Sequence, residues 1–395
     1  MAPSYYDHRD HYCVHAFSFL AFLALCGLIV YTVAGYPLLL GWAARHHLRP
    51  VTKQADESRT VSVIVVVFNG QNFLADKLES ILNQSYPRDR TEILVVSDGS
   101  TDQTDAIARS FADRGVQFLR VPHGGKPAAL NAAVPTVSGE FLVLTDVRQV
   151  LDRDAIALLL ACFADPQVGA VSGDMLVRSG DQEESNVGLY WRYERWIRKQ
   201  LAAVDSMLGA TGPFYAIRRE LFRPMPADTL LDDMFIPLDA FFRGYRLILE
   251  EHARAYDYPT NIRTEFRRKV RTLAGNYQIM RQFPDLLSRR NRMLFHFVSY
   301  KLARLLLPWI VLALFLVSFA LPRPFSTIAI CLELVPCLIA ATDFITPAGW
   351  FWKKLSSPAR TVFSMLAATA CAIAIFFVPP RRLWKPTQLQ VARRD

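Results

Sequence analysis

An acidic residue stands at the end of an apolar run and directly before a glycine. Residues 93–96 are apolar and are followed by Ser97, Asp98 and Gly99. A carboxylate at the carboxyl end of a strand suits a contact with a nucleoside, and the amides of the following helix start suit phosphate. The same residues, 97–102, are also typical of ordinary turn and capping chemistry. Asp98 is therefore a candidate nucleotide ligand, with a plain turn as the alternative.

Two further segments offer charged side chains to a ligand. Gly124 and Gly125 let the backbone approach a ligand, and Lys126 supplies a cation for phosphate. A glycine loop before a helix with an early proline explains the same residues without a ligand. Asp146 ends another apolar run, and Arg148 follows two residues later. A metal site for a diphosphate would prefer a second carboxylate there, whereas the sequence offers a guanidinium.

An acidic pair and an arginine cluster complete the candidate chemistry. Asp232 and Asp233 are adjacent, and their repulsion can raise the pKa of one toward that of a usable base. Capping of a helix N-terminus is the alternative. Residues 265–272 are rich in arginine, which suits a diphosphate or, equally, an anionic membrane surface. A nucleoside contact, cations for a leaving diphosphate and a base for a hydroxyl are what sugar transfer from a nucleotide-sugar requires.

Short apolar runs alternate with helical patterns through the middle of the chain. The runs at 61–67, 93–96, 118–121 and 141–144 predict strands, and apolar spacing predicts a helix at 73–82. This alternation predicts an α/β fold with a mostly parallel sheet covered on both faces. Ligands of such sheets bind beyond the carboxyl ends of the strands. The candidate acidic residues stand at those ends.

Longer apolar runs flank this middle region. One covers residues 16–40, and three more cover 302–321, 326–345 and 361–378. Each is close to the length that crosses a bilayer. The hydrophobic fraction of 52% and the mean hydropathy of +0.16 agree with membrane segments. Basic residues at 45–53 directly follow the first run, which predicts that the middle region lies in the cytoplasm.

These patterns divide the chain into five parts. The prediction is an N-terminal transmembrane helix and flank at 1–50, a cytoplasmic catalytic domain at 51–275, interfacial amphipathic helices at 276–301, C-terminal transmembrane helices at 302–380 and a basic tail at 381–395. A solvated basic face packed on the body is the alternative for the amphipathic part. Pro358 is expected to mark the end of a span. Three spans would put the basic tail outside, against the positive-inside tendency, so a re-entrant or interfacial segment stays open.

Charge and cysteine content limit the kinds of ligand and site that are expected in this chain. The net charge of +9 suits nucleic acid, anionic lipid or substrates that carry phosphate. The sequence has no zinc-finger, basic-zipper or RNA-binding signature, so lipid headgroups and substrate phosphate are favoured and nucleic acid is not expected. None of the six cysteines forms a C-x-x-C pair. They predict buried thiols and neither a metal knuckle nor a disulfide framework.

The order and spacing of these motifs resemble the family 2 inverting glycosyltransferases. The resemblance is strongest to the membrane-integrated synthases of cellulose, hyaluronan, chitin and poly-N-acetylglucosamine, and it covers about residues 60–275. Six segments carry it: residues 61–69 (against the first strand and its Asn), 81–87 (I-L-N-Q-S-Y-P), 96–102 (against V-D-D-G-S-T-D), 125–131 (against G-K-A-x-A-L-N), 209–212 (against the acceptor-side loop) and 268–272 (against Q-x-x-R-W). The acidic pair stands where the family has E-D.

The resemblance implies a GT-A fold and a role for each matched residue. Donor-site roles are implied for Asn69, Asp98, Lys126, Asp146, Arg148, Arg268 and Arg271. Acceptor-side roles are implied for Gly209, Thr211, Gly212 and Asp232. Asp233 is implied as the general base that deprotonates the acceptor.

Three positions depart from the family pattern. Arg148 stands at the second acidic position of the D-x-D motif, so Asp146 is the metal ligand that remains. Dependence on Mg²⁺ or Mn²⁺ stays open, because the charge of Arg148 could partly replace a metal. Thr272 replaces the tryptophan that would stack on an acceptor sugar, which weakens the case for processive synthesis. Gly70 stands where many relatives carry Glu.

The resemblance implies a glycosyltransferase that moves a sugar from a nucleotide-sugar, expected to be a UDP-sugar, to a growing glycan with inversion. The expected partners are the donor, a glycan or lipid-linked acceptor, membrane lipids and other polysaccharide-export subunits. The expected location is the inner cell membrane. Two alternatives stay open: transfer of a single sugar onto a polyprenyl phosphate or another lipid-linked acceptor, and a catalytically degenerate membrane scaffold.

Overall fold

The computed structural model describes residues 7–177, 189–257, 262–347 and 349–383. Within these residues a sheet of eight strands forms: β1 Val61–Val67, β2 Thr91–Asp98, β3 Val116–Val121, β4 Phe141–Asp146, β5 Val150–Leu151, β6 Val168–Val177, β7 Phe214–Arg218 and β8 Arg246–Asp257. Across the sheet their order is β3-β2-β1-β4-β7-β6-β8-β5. The four strands predicted from the sequence are β1 to β4, and all four are confirmed.

The first half of the sheet is parallel. The sequence of β1, VSVIVVV, is almost entirely β-branched, which favours extended backbone and fills both faces of a buried strand. β1 pairs in parallel with β2 and with β4, and β2 pairs in parallel with β3. The carboxyl ends of these strands therefore lie along one edge. Asp98 ends β2 and Asp146 ends β4, with β1 between them.

The second half of the sheet mixes directions. β7 pairs antiparallel with both β4 and β6, β6 pairs in parallel with β8, and β5 pairs antiparallel with β8. The register sets Thr145 opposite Phe214, so the loop before β7 lies beside the end of β4. The amide of Asp146 donates to the carbonyl oxygen of Pro213 at 3.1 Å. The predicted α/β fold with a mostly parallel sheet is confirmed.

Helices alternate with the strands and continue beyond them. Their bounds are α1 Asp7–Val30, α2 Tyr36–His46, α3 Leu74–Leu82, α4 Thr104–Ser110, α5 Lys126–Ala133, α6 Ala155–Ala161, α7 Leu189–Val204, α8 Asp232–Phe242, α9 Ile262–Gln282, α10 Leu294–His296, α11 Ala303–Ser318, α12 Phe325–Thr342, α13 Lys353–Cys371 and α14 Pro380–Leu383. The helix predicted at 73–82 is confirmed as α3.

The structure divides into two compact units, and the sheet belongs to the unit formed by Ala43–Asn261, Gly275–Leu294 and Pro379–Asp395. A buried carboxylate, Asp205, ties distant segments of this unit together. Its two oxygens accept hydrogen bonds of 2.6 Å from Arg49 and from Arg292. The buried Arg246 donates to the carbonyl oxygen of Asp205 at 2.8 Å. Loss of Asp205 would leave buried guanidinium charge without its counter-ion, which is costly.

The other unit consists of Met1–Trp42, Ile262–Ala274 and Phe295–Val378. Its helices are apolar, and side-chain hydrogen bonds join them. Ser18 donates to the carbonyl oxygen of Ala320 at 3.1 Å. The hydroxyls of Tyr31 and Ser299 are 2.7 Å apart. Such pairs satisfy polar groups that a hydrocarbon environment would leave without partners.

Four helical stretches in the described part of the chain are long and apolar enough to cross a membrane. They are His15–His46, Leu294–Ser318, Phe325–Thr342 and Lys353–Phe376. Each span predicted from the sequence overlaps one of these stretches, and the last three predicted spans end two or three residues beyond the helices. Pro358 lies inside the last one and does not mark its end, contrary to expectation. A proline near the start of a helix removes one backbone hydrogen bond without ending the helix.

Candidate active site

The end of β2 is joined to the glycine loop by its carboxylate. Asp98 is buried, and its Oδ1 accepts the amide of Gly124 at 2.7 Å. Its Oδ2 accepts the amide of Gly125 at 3.0 Å and lies 3.0 Å from Nδ1 of His123. Gly125 has a φ of 87°, a left-handed conformation that favours glycine. Asp98 thus fixes the loop that starts α5. Its predicted contact with a nucleoside stays a prediction.

Lys126 links two carboxylates that are far apart in the sequence. Its ammonium lies 2.8 Å from Oδ1 of Asp146 and 2.9 Å from Oδ2 of Asp232. Burial alone would lower the pKa of Lys126, but the two carboxylates outweigh it and raise that pKa above its ordinary value. Burial alone would raise the pKa of Asp146, and the charge of Lys126 reverses the effect. The end of β4 and the start of α8 therefore share one cation.

The loop of residues 209–212, for which the resemblance implies acceptor-side roles, lies against the first turn of α8. The amide of Ala210 donates to the carbonyl oxygen of Asp233 at 2.8 Å. A Cβ at Gly212 would lie 2.8 Å from Oδ2 of Asp233, so only glycine leaves room for that carboxylate. The hydroxyl of Thr211 accepts a hydrogen bond of 2.9 Å from Arg198 on α7. The structure places Gly212 beside Asp233, and the acceptor-side roles of Gly209, Thr211 and Gly212 stay predictions. The sequence gave no indication of Arg198.

Tyr215 is a residue of this site that sequence reasoning missed. It is fully buried in β7, opposite Leu144 of β4. Burial first, and then the charges of Asp232, Asp233 and Asp146, raise its pKa well above the ordinary value. The charges of all three carboxylates therefore act on one phenol. The sequence offered no signal because β7 was not predicted.

Asn69 adopts a left-handed conformation, with a φ of 52°, immediately after β1. Its side-chain oxygen accepts the amide of Thr101 at 2.8 Å, and its own amide donates to Ser100 at 3.1 Å. These bonds tie the turn after β1 to the turn after β2. The structure therefore places Asn69 beside the loop of Asp98, and its contact with the nucleotide stays a prediction.

Lys77 is a second residue that the sequence did not reveal. It lies on α3 and is fully buried. Its ammonium donates to Oγ1 of Thr145 and to the carbonyl oxygen of Gln149, both at 2.7 Å. Burial lowers its pKa to about 7, while the nearby Asp146 acts in the opposite direction. Lys77 thus spans the turn that carries Asp146 and Arg148.

The residues at the end of β4 do not fit a divalent metal. Arg148, at the second acidic position of the motif, forms an ion pair with Asp257, and Gln149 donates to the same Oδ2 at 2.9 Å. Asp146 is engaged by Lys126. Among the described residues, no three His, Cys, Asp or Glu side chains come together as a metal would require. Within this motif, the oxygen ligands for Mg²⁺ or Mn²⁺ are thus reduced to one carboxylate, which is already paired with an ammonium.

Arg268 and Arg271 lie on α9 and belong to the unit of apolar helices, whereas the carboxylates above belong to the sheet unit. Arg268 lies 3.6 Å from Glu265, one turn earlier on the helix. The predicted contacts of both arginines with a diphosphate stay predictions. The later part of α9 adds a missed residue: Gln278 accepts the amide of Leu230 and donates to the carbonyl oxygen of Asp228, both at 2.8 Å. It fixes the segment that leads into α8.

Known glycosyltransferases are similar to this chain in sequence. Residues 62–225 match the Glycosyl transferase family 2 model. The chain carries a family 2 glycosyltransferase domain. The poly-beta-1,6-N-acetyl-D-glucosamine synthase of Staphylococcus epidermidis is 21% identical over 318 residues, which are 78% of this chain and 76% of that protein. The probable glycosyltransferase YdaM of Bacillus subtilis is 24% identical over 244 residues, 56% of each chain.

A solved structure shares the fold. The mannosyltransferase PcManGT from Pyrobaculum calidifontis, in complex with GDP-Man and Mn²⁺, superimposes with a TM-score of 0.70 and 24% identity, over 90% of this chain and 99% of that one. This likeness shows the fold, which is the GT-A fold that the resemblance implied. The predicted glycosyltransferase class is confirmed as well.

Proposed function

We propose that this glycosyltransferase moves a sugar from a nucleotide-sugar, a UDP-sugar, to a growing glycan at the inner membrane, with inversion at the anomeric carbon. The observation that carries the proposal is the shared cation: Lys126 binds Asp146 and Asp232, and so draws the end of β4 and the start of α8 into one site. The loop held by Asp98 ends at that same lysine. Residues to which the resemblance assigns nucleotide and acceptor roles thus lie at one sheet edge, which supports the proposed transfer.

The proposed reaction is a single displacement. The acceptor hydroxyl oxygen attacks the anomeric carbon, the bond from that carbon to the diphosphate oxygen breaks, and the acceptor proton passes to Asp233. Asp233 is assigned as the base on the family resemblance, and the neighbouring Asp232 is bound by Lys126. Cationic side chains stabilise the charge that develops on the leaving diphosphate. We assign this to Lys126 and, on the strength of the family resemblance, to Arg268 and Arg271.

Apolar helices support a membrane location. The four stretches long enough to span a bilayer have many exposed apolar side chains, as lipid-facing helices do. The relative from Staphylococcus epidermidis is by its name a synthase of poly-beta-1,6-N-acetyl-D-glucosamine, which favours a glycan acceptor. Thr272, where the resemblance expects tryptophan, favours a second candidate: transfer of one sugar to a lipid-linked acceptor.

The test is a substrate panel with a base-deficient variant. Purified protein in detergent is supplied with UDP- and GDP-sugars and membrane lipid extract, and release of nucleoside diphosphate is measured. We expect Asp233→Asn to lower the rate by about 10²-fold or more with nucleotide affinity unchanged. Asp228→Asn, an exposed carboxylate shortly before α8, is the matched control and should keep full activity.

Three outcomes of this test are informative. Full activity of Asp233→Asn would remove the proposed base. Product that stays lipid-linked with one sugar would select the second candidate. Absence of turnover with every donor, in a protein that folds, would favour a degenerate scaffold.

A further inference from the structure

A donor diphosphate carries negative charge that a transferase must neutralise. In this fold, the residues expected to do so stand at the carboxyl end of β4. Here the second acidic position is Arg148, whose side chain is mostly buried and paired with Asp257. Asp146 is the carboxylate that remains, and it is bound to Lys126. A divalent ion at this point would have to displace an ammonium and approach two further cations.

Those further cations are fixed by the fold. Lys77 is fully buried and held by Thr145 and Gln149, on either side of the Asp146 turn. Arg148 is held by Asp257. Arg148, and Lys77 when it is protonated, act on Asp146 in the same direction as Lys126 does. Nearby cations therefore already neutralise the negative charge of Asp146, and their electrostatic field opposes the binding of a divalent cation.

Lys126 itself has a donor to spare. An ammonium has three N–H groups. Two of them are used by Asp146 at 2.8 Å and Asp232 at 2.9 Å, and the third has a long contact of 3.5 Å with the carbonyl oxygen of Gly212. The side chain is 22% exposed, so a ligand can reach it. A phosphate oxygen would make a shorter, charge-assisted bond than that carbonyl does.

We propose that this enzyme binds its donor without a divalent metal: the ammonium of Lys126 is the cation on the diphosphate, and Lys77 and Arg148 are positioning residues that hold Asp146 for it. This inference rests on the proposed function, since it concerns the nucleotide-sugar of that reaction. It concerns this chain's own residues and differs from the relative that was solved with Mn²⁺.

The test is calorimetric binding of UDP and of GDP to the full-length protein in detergent, once with EDTA and once with Mn²⁺. We expect the nucleotide that binds to show dissociation constants within about threefold of each other in the two conditions. Lys126→Gln should bind about tenfold more weakly or worse in EDTA, since a charge-assisted bond is lost. The control is Lys199→Gln, a lysine of the same unit that pairs with Glu251 at 2.9 Å, and it should bind as the wild type does.

A second variant tests whether a metal site can be restored at the end of β4. Arg148→Asp restores two carboxylates at the end of β4, and it should make nucleotide binding at least about tenfold tighter with Mn²⁺ than with EDTA. Its thermal melting is compared with the wild type first, because the new carboxylate faces Asp257. The wild-type comparison decides the matter even if this variant does not fold.

The outcomes separate the two proposals. Wild-type binding that appears only with Mn²⁺ overturns the metal-free inference and leaves the proposed function intact. Unchanged binding by Lys126→Gln overturns the role of the ammonium. Lack of UDP and GDP binding in both conditions overturns the proposed function, and the inference falls with it.

Discussion

Burial decides which charges this site holds, and Lys77 is the strongest case. Its ammonium is fully buried with two hydrogen-bond acceptors, and burial lowers its pKa from 10.5 to about 7. The sequence could not reveal this, because a lysine in a helix is ordinarily exposed. Asp98, Asp146 and Lys126 were predictable because each stands at a strand end or a glycine loop. Tyr215 was not, since its position depends on an antiparallel pairing between distant segments.

Lys77→Met should change how stability depends on pH. Between pH 7 and 10.5 the folded protein binds fewer protons at this residue than the unfolded chain does, so the wild type gains stability as pH rises, by at most about 1.4 kcal/mol per pH unit. Below pH 7 both states are protonated, and the cost of burying the charge is constant. The variant lacks this gain. Melting temperatures in detergent from pH 7 to 9 measure it.

The control for this experiment is Lys199→Met, which removes an exposed lysine. Its melting temperature should rise with pH in parallel with the wild type. Parallel curves for wild type and Lys77→Met would contradict the lowered pKa of Lys77.

At the scale of elements, the local sequence pattern predicted the parallel strands β1 to β4. It did not predict β6 to β8, because these strands depend on long-range pairing. β1 to β4 have short apolar runs that end at turns, and their helices follow directly. β6 to β8 pair across large sequence separations, as β4 does with β7, and nothing in their local sequence specifies those partners. The contact of the loop 209–212 with α8 likewise depends on tertiary structure and not on local sequence. It explains why Asp233 can hold its present position only with glycine at residue 212.

Gly212→Ala should impair catalysis with little loss of stability. The added Cβ would meet Oδ2 of Asp233 at 2.8 Å, and that carboxylate oxygen is the end of a side chain that can rotate away. Folding tolerates the rotation, but the proposed base moves by about 1 Å, which costs roughly 10²-fold in rate. We expect a lower kcat, an unchanged donor KM and a nearly unchanged melting temperature. Steady-state kinetics and a thermal melt measure these quantities.

Gly27→Ala is the matched control, because a Cβ there meets nothing within 4 Å. It adds the same methyl group on α1 and should leave kcat unchanged. Equal activity of Gly212→Ala and Gly27→Ala would show that Asp233 does not need its present position.

At the scale of the whole molecule, apolar helices and basic flanks predict how the chain crosses a membrane. Arg45 ends the first candidate span with its neighbouring histidines, which favours a cytoplasmic sheet unit. The helix Leu294–Ser318 would then lead outward, and Phe325–Thr342 would return. The turn between them, which contains the exposed Arg323, would face the exterior. This topology matters because a cytoplasmic pool of nucleotide-sugar reaches only one side.

Single cysteines at Asp56 and Arg323 test this topology as a matched pair. Both positions are exposed, and the proposal places them on opposite sides of the membrane. In intact cells, a membrane-impermeant maleimide should label Arg323→Cys and spare Asp56→Cys, and permeabilisation should expose the latter. The wild type, labelled in parallel, gives the background from the native cysteines. Labelling of Asp56→Cys from outside would place the sheet unit on the wrong side for its donor, and a lipid-linked sugar donor would then have to replace the nucleotide-sugar.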